Sequence, residues 1–226
     1  MTNKKVSKKL TKTPVKMSDG DSGLNFDGIP SFNSTEDDLK QRGIYYITGE
    51  IDEGSLLDIH QDIVLKYVTG SKVKELTLVV NSVGGSADET FALVDLLETM
   101  KDRFLVKTIG MGTCCSAGAM LLAVGTTGHR EIAKNCELMI HEASFHMWIQ
   151  EKTGGFSLDR AIEILHEKTL DFWMDYSSCK TRKEVETKLL GPKDKWFTPP
   201  EAVALGVVDS ILGQEKNGKS RRSPRK

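Results

Sequence analysis

The chain has 226 residues, 31 Lys and Arg against 32 Asp and Glu, and a formal net charge of -1. That balance gives no case for a nucleic-acid-binding chain, and no apolar run reaches the roughly 18–20 residues needed to span a bilayer. Four cysteines without a CxxC pair exclude an ordinary thiolate metal knuckle and fit free buried thiols in a reducing compartment.

In chain order, residues 1–24 are lysine-rich and poor in large apolar side chains. Such a segment buries too little apolar surface to offset its ordering entropy, so it is expected to be disordered and solvated. It lacks the apolar core of a secretion signal, which makes the cytoplasm the expected location. "GIYYITGEI" (Gly43–Ile51) reads as a strand. "SLLDIHQDIVLKYV" follows as a helix with a stripe of Leu56, Ile59, Ile63 and Tyr67. "ELTLVVN" (Glu75–Asn81) is an apolar run suited to a strand buried on both faces. "SVGGSADE" reads as a turn, Glu89–Met100 as a helix, and Phe104–Gly112 as the next strand. Ser116 and a short apolar helix come after it. Arg130–His141 reads as strand, turn and strand, Ser157–Cys179 as a long helix capped by Ser157, and Pro199–Leu212 as a short helix with a final strand. The tail 213–226, containing "QEKNGKSRRSPRK", is again expected to be disordered. One domain over residues 25–212 remains. Its repeated β-α-β units with short connections predict an α/β fold on a mainly parallel sheet.

Ligands of such sheets bind at the carboxyl ends of strands. Two segments fall there, Gly84-Gly85 and "GTCCSAGAMLLAVG" (Gly112–Gly125). Ser116 admits two readings. It can be an ordinary helix cap among small residues that permit close packing. It can also be a nucleophile, since small neighbours let a substrate backbone approach and a helix start favours developing negative charge. A nucleophilic hydroxyl needs a base. Of the five histidines, His60 and His166 fall in helical patterns, His129 in a turn and His146 in a loop; His141 ends the apolar strand "ELMI" and is the best-placed base. The orienting acid stays open among Asp171, Asp175, Asp194 and Asp209. Backbone N–H donors for an oxyanion would come from Gly85, which has no Cβ to obstruct a substrate, and from Ala117, which follows the Ser.

Four blocks of this sequence resemble the Clp protease proteolytic subunit family. "NSVGGSADE" resembles its Asn-Ser-Pro-Gly-Gly segment, with Val83 in place of Pro. "GMGTCCSAGAMLLAVGTTGHR" is similar to its Gly-x-x-x-Ser-x-Gly-Ala nucleophile segment. "ELMIHEAS" resembles its Met-Ile-His-Gln-Pro strand end, with Glu142-Ala143 in place of Gln-Pro. "DKWFTPPEAVALGVVDSIL" is similar to its closing segment. The blocks occur in the family's order between Gly43 and Leu212.

The resemblance implies Ser116 as nucleophile, His141 as general base, Asp194 as the orienting acid, and Gly85 and Ala117 as oxyanion donors. It further implies a spiral of β-α-β units of the kind shared with crotonases, and a handle over Thr153–Leu190. Stacked heptameric rings would make a tetradecamer, with Gly154-Gly155 and the long helix in ring-to-ring contact. The expected activity is serine-type endopeptidase hydrolysis of peptide or unfolded protein inside the ring chamber. No cofactor would be bound by this chain, and ATP would be used only by a partner Clp-type unfoldase. Two other readings are a crotonase-type acyl-CoA enzyme, which shares the spiral core without needing an ordered Ser, His and Asp, and a non-catalytic ring subunit or scaffold.

Overall fold

The computed structural model describes residues 35–142 and 158–214. The expected disordered leader, nearly all of the tail, His146, Ser157 and the Gly154-Gly155 contact segment lie outside the described residues. A short helix α1 (Thr35–Gln41), unforeseen in the sequence, leads into β1 (Ile44–Ile51), α2 (Leu57–Val68), β2 (Glu75–Gly85), α3 (Ala87–Thr99), β3 (Leu105–Cys115) and α4 (Ala117–Ala123). Then come β4 (Arg130–Ile132), β5 (Glu137–Ile140), α5 (Leu158–Asp175), α6 (Arg182–Lys188), β6 (Lys195–Phe197), α7 (Pro199–Ala204) and β7 (Ser210–Ile211).

Among the described residues the strands form one sheet of seven, ordered β1-β2-β3-β4-β7, with β5 paired to β3 and β6 to β5. Every pairing is parallel except β5 with β6. The α/β expectation is therefore met. The apolar run Glu75–Asn81 is a strand with one face fully buried through Leu76, Leu78 and Val80; on the other face Val79 is buried, Thr77 half-buried and Glu75 and Asn81 exposed, so the expected burial on both faces is met only in part. α2 buries Leu56, Ile59 and Ile63 of its expected stripe, but Tyr67 is half exposed. Lys66 is buried in its place, because Asp62 accepts from both Lys66 Nζ at 2.5 Å and the Tyr45 hydroxyl at 2.8 Å.

Three adjacent strands break register at one height, and that break positions everything that follows. β1 shifts between Gly49 and Glu50 and β2 between Val80 and Ser82. β3 pairs with β4 at Thr108–Gly110, then with β5 at Thr113–Cys115. Side chains of β2 pin the break. The Asn81 carbonyl oxygen accepts from Thr113 N at 3.1 Å, and the Ser82 hydroxyl donates to Gly49 O at 2.5 Å while accepting from Gly84 N at 3.0 Å. Gly112 turns here with φ +64°, and a Cβ on it would stand 2.7 Å from Asn81 Oδ1.

"SVGGSADE" is accordingly not a free turn. Ser82–Gly85 continue β2 beside β1, and Ser86 caps α3 by accepting from Glu89 N at 3.2 Å. Likewise Cys114 and Cys115 belong to β3 and not to a helix start. α4, buried along its whole length, packs on β2 so closely that a Cβ at Gly118 would lie 2.8 Å from Ser82 O. Of the stretch 153–190, over which a handle is expected, residues 153–157 lie outside the described residues, and the remainder holds α5 and α6. α5 carries exposed Ile162 and Ile164 in its first half and buries Leu170, Phe172 and Trp173 in its second.

Candidate active site

Ser116 occupies the single residue between β3 and α4. Its φ of +54° is the only positive value at a non-glycine among the described residues. A β-carbon in that region is strained by about 1–3 kcal/mol, so the surrounding structure must impose it. It does so from two sides: Ser116 N donates to Met139 O of β5 at 2.8 Å, and Ser116 O accepts from Ala119 N and Met120 N of α4. The cap reading fails, because the side chain makes no capping hydrogen bond. The hydroxyl instead lies 2.7 Å from His141 Nε2.

His141 reaches that position because β5 pairs in parallel with the end of β3, placing Cys115 beside Met139. The sheet thus brings together a serine and a histidine 25 residues apart, and both remain partly exposed. They line a cleft of about 1090 Å³ together with Gly84, Gly85, Ala117 and Met120 and with residues of α3 and α5, including Phe91, Leu165 and Trp173. Ala117 N opens a helix, where no intrahelical acceptor exists for it. Gly84 is packed against the Ser116 corner itself: at φ +96°, a Cβ would stand 2.6 Å from Cys115 O and 2.7 Å from Ser116 Cβ. Gly85, at φ +145°, is pressed against the Ile51 carbonyl.

The rival acids divide by their commitments. Asp209 accepts from Gly128 N, Arg130 N and the Arg130 guanidinium at 2.7–3.1 Å, at the β4–β7 edge of the sheet. Asp171 pairs with Arg182 at 2.7 Å. Asp194 precedes β6, whose Lys195 pairs antiparallel with Ile140; His141 and Asp194 are the next residues along that ladder. The Asp194 side chain is exposed, and among the described residues no hydrogen bond joins it to His141. The other histidines stand apart. His60 lies on α2, His129 N bonds to Thr126 O in its turn, and His166 Nδ1 lies 3.2 Å from Glu142, the residue after His141.

A serine on a strained strand-to-helix corner, a histidine at hydrogen-bond distance and a glycine pair in a cleft are the parts that acyl-transfer chemistry uses. Comparison with known proteins agrees. Residues 30–215 match the sequence profile of the family described as Clp protease. The chain belongs to the Clp protease family. It is similar to the ATP-dependent Clp protease proteolytic subunit 2 of Thermobifida fusca, at 28% identity over 81% of this chain and 87% of the relative. Subunit 1 of Leifsonia xyli subsp. xyli is 30% identical over 76% and 84%, and subunit 2 of Bacillus licheniformis 34% identical over 62% and 70%. Clp family membership makes the chain a serine-type endopeptidase, and the crotonase-type acyl-CoA reading is not favoured. Among the described residues, no group of three or more His, Cys, Asp or Glu is arranged to hold a metal ion, and no helix is long and apolar enough to cross a membrane.

Proposed function

We propose that Ser116, His141 and Asp194 form the catalytic triad, with backbone N–H groups of Gly85 and Ala117 as the oxyanion donors. The 2.7 Å Ser116–His141 contact carries this reading. His141 Nε2 takes the hydroxyl proton as Ser116 Oγ attacks the peptide carbonyl. The tetrahedral oxyanion falls against the glycine pair and the start of α4, each donor contributing about 3 kcal/mol to the barrier reduction. Collapse expels the amine, protonated by His141, and water then repeats the sequence on the acyl-enzyme. Asp194 accepts from His141 Nδ1 and holds the ring in the productive tautomer. The β5–β6 register supports that role, and the hydrogen bond itself is what the proposal adds to the observed geometry.

The substrate is peptide or unfolded protein. The working form is a self-assembled ring chamber, heptameric and stacked in pairs, fed by a Clp-type ATPase in the cytoplasm; this chain binds no cofactor, and ATP is spent by the partner alone. The relatives named for an ATP-dependent Clp protease support this, as do the exposed Leu57, Leu65, Tyr67 and Val68 of α2 and Tyr46 of β1, an apolar surface that assembly would cover. Ser116→Ala is expected to abolish hydrolysis of an unstructured fluorogenic peptide while leaving the native mass unchanged. Retention of wild-type turnover by that variant would reject the mechanism.

A further inference from the structure

Two sulfurs that the catalytic reading does not use lie in the seam that sets its geometry. Cys114 of β3 and Cys136, which opens into β5, are buried with their Sγ atoms 3.7 Å apart. Ser116 is two residues beyond Cys114, and His141 five beyond Cys136. β3 and β5 are adjacent strands, and Ser116 N bonds across them to Met139 O. The thiols therefore bridge the same pair of strands as the Ser116–His141 contact. The remaining cysteines do not share this seam in the same way: Cys115 is the neighbour of Ser116 with its thiol pushed up by burial and by nearby Glu137, and Cys179 lies at the end of the α5 connection.

We infer that Cys114 and Cys136 form a reversible disulfide that switches off the active site when the protein meets a two-electron oxidant such as hydrogen peroxide. In the first step the Cys136 thiolate attacks one peroxide oxygen, the O–O bond breaks, and the released hydroxide takes up a proton as water, leaving a sulfenic acid. Cys114 sulfur then attacks the Cys136 sulfur, the S–O bond breaks, and the leaving hydroxide departs as water with the Cys114 proton. Two thiols are oxidised and one peroxide is reduced to two waters. The pair is divided for these roles. Cys136 Sγ donates to Cys114 Sγ at 3.7 Å and Cys114 Sγ to Val80 O at 3.3 Å; the contact between the two sulfurs lowers the Cys136 pKa, while the same contact together with burial raises that of Cys114. Cys136, itself buried, directly follows exposed Lys134 and Asn135 in the turn Ala133–Cys136, which is closed by Cys136 N donating to Ala133 O at 3.0 Å.

Closing the bridge brings the sulfurs from 3.7 Å to about 2.05 Å. Whatever part of that difference side-chain rotation does not absorb is taken up by a shift between β3 and β5, the strands that carry Ser116 and lead to His141. A misplacement of about 1 Å between reacting groups costs on the order of 10²-fold in rate, so the oxidised enzyme is expected to lose at least tenfold in peptide hydrolysis. The disulfide stands on the sulfur geometry alone; its effect on rate rests on the Ser116–His141 reading.

The test treats the full-length protein with hydrogen peroxide and maps disulfide-linked peptides by mass spectrometry without reduction, measuring peptide hydrolysis on the same samples before and after dithiothreitol. The expected result is a Cys114–Cys136 crosslink, two hydrogens lighter than the dithiol, whose extent parallels the loss of activity and which dithiothreitol reverses. Cys136→Ala, and independently Cys136→Ser should the first fold poorly, are expected to keep basal hydrolysis and lose the peroxide sensitivity. Absence of the crosslink in the wild-type protein would overturn the bridge whatever the enzyme does. A crosslink without loss of hydrolysis would overturn the switch, and undiminished sensitivity in both Cys136 variants would place the oxidation elsewhere. Failure of the catalytic reading gives a separate signature: no hydrolysis dependent on Ser116 at all, with the crosslink still present.

Discussion

Ser116 holds a backbone conformation that only glycine adopts without strain, and it holds it with φ at +54° between a strand hydrogen bond and a buried helix. Replacing it with Ala removes the hydroxyl and keeps the strain; replacing it with Gly removes both. Both variants are expected to be inactive, and Ser116→Gly is expected to be more stable than Ser116→Ala by about 1 kcal/mol, a gap of roughly 2–4 °C in Tm for a chain of this size. Equal melting temperatures would show that the corner is unstrained. At Gly84 the opposite holds. A methyl there meets Cys115 O and Ser116 Cβ at 2.6 and 2.7 Å, so Gly84→Ala is expected to cut hydrolysis at least 10²-fold by displacing Ser116 from its contact with His141, read as a fall in kcat. Asp194→Asn is expected to lower kcat by about 10⁴-fold, as removal of an orienting carboxylate does, with assembly unaffected; an unchanged kcat would remove Asp194 from the triad. Ser116 and His141 were legible in the sequence because both stand at ends of apolar runs, and a parallel sheet gathers such ends at one edge. Asp194 was not legible from spacing. Its only structural signal is the antiparallel pairing of Lys195 with Ile140, and a three-residue strand leaves little periodicity to read.

At the scale of elements, the shared register break of β1, β2 and β3 joins the fold to the site. Asn81 and Ser82 were read as the end of one strand and the start of a turn, because Ser, Gly and Gly interrupt the apolar pattern. Their side chains instead tie β2 to Gly49 and to Thr113, contacts that depend on register and leave no mark in local composition. The same gap hid the proximity of Cys114 and Cys136, which lie 22 residues apart. At the other edge, Arg130 and Asp209 clamp β4 to the strand that closes the sheet. Burial opposes the Asp209 charge, but the hydrogen bonds and charge of Arg130 prevail and hold its carboxyl below the usual range. Breaking so buried a pair costs about 3 kcal/mol, and Asp209→Asn is expected to lower Tm accordingly. Because the folded carboxyl titrates below the unfolded one, its contribution is complete above about pH 4 and disappears as pH falls through the folded value. The Tm difference between wild type and Asp209→Asn should therefore be constant near neutrality and shrink in acid.

For the whole molecule, the α/β class and the order of the main elements followed from alternating apolar runs and helical stripes. The partly exposed faces were less legible, since an apolar residue on a helix reads alike whether it faces its own core or a neighbour's. Leu57, Leu65, Tyr67 and Val68 on α2 look outward, and ring assembly supplies the physical reason for leaving them there. The central claim is that one corner residue is a nucleophile made reactive by one histidine. Labelling with a fluorophosphonate probe, followed by mass-spectrometric mapping of the adduct, tests it most directly. The expected result is a single adduct on Ser116 in the wild-type protein, its rate of formation lowered at least 10²-fold in His141→Ala. An adduct on another residue, or labelling of Ser116 that proceeds equally fast without His141, would contradict the account.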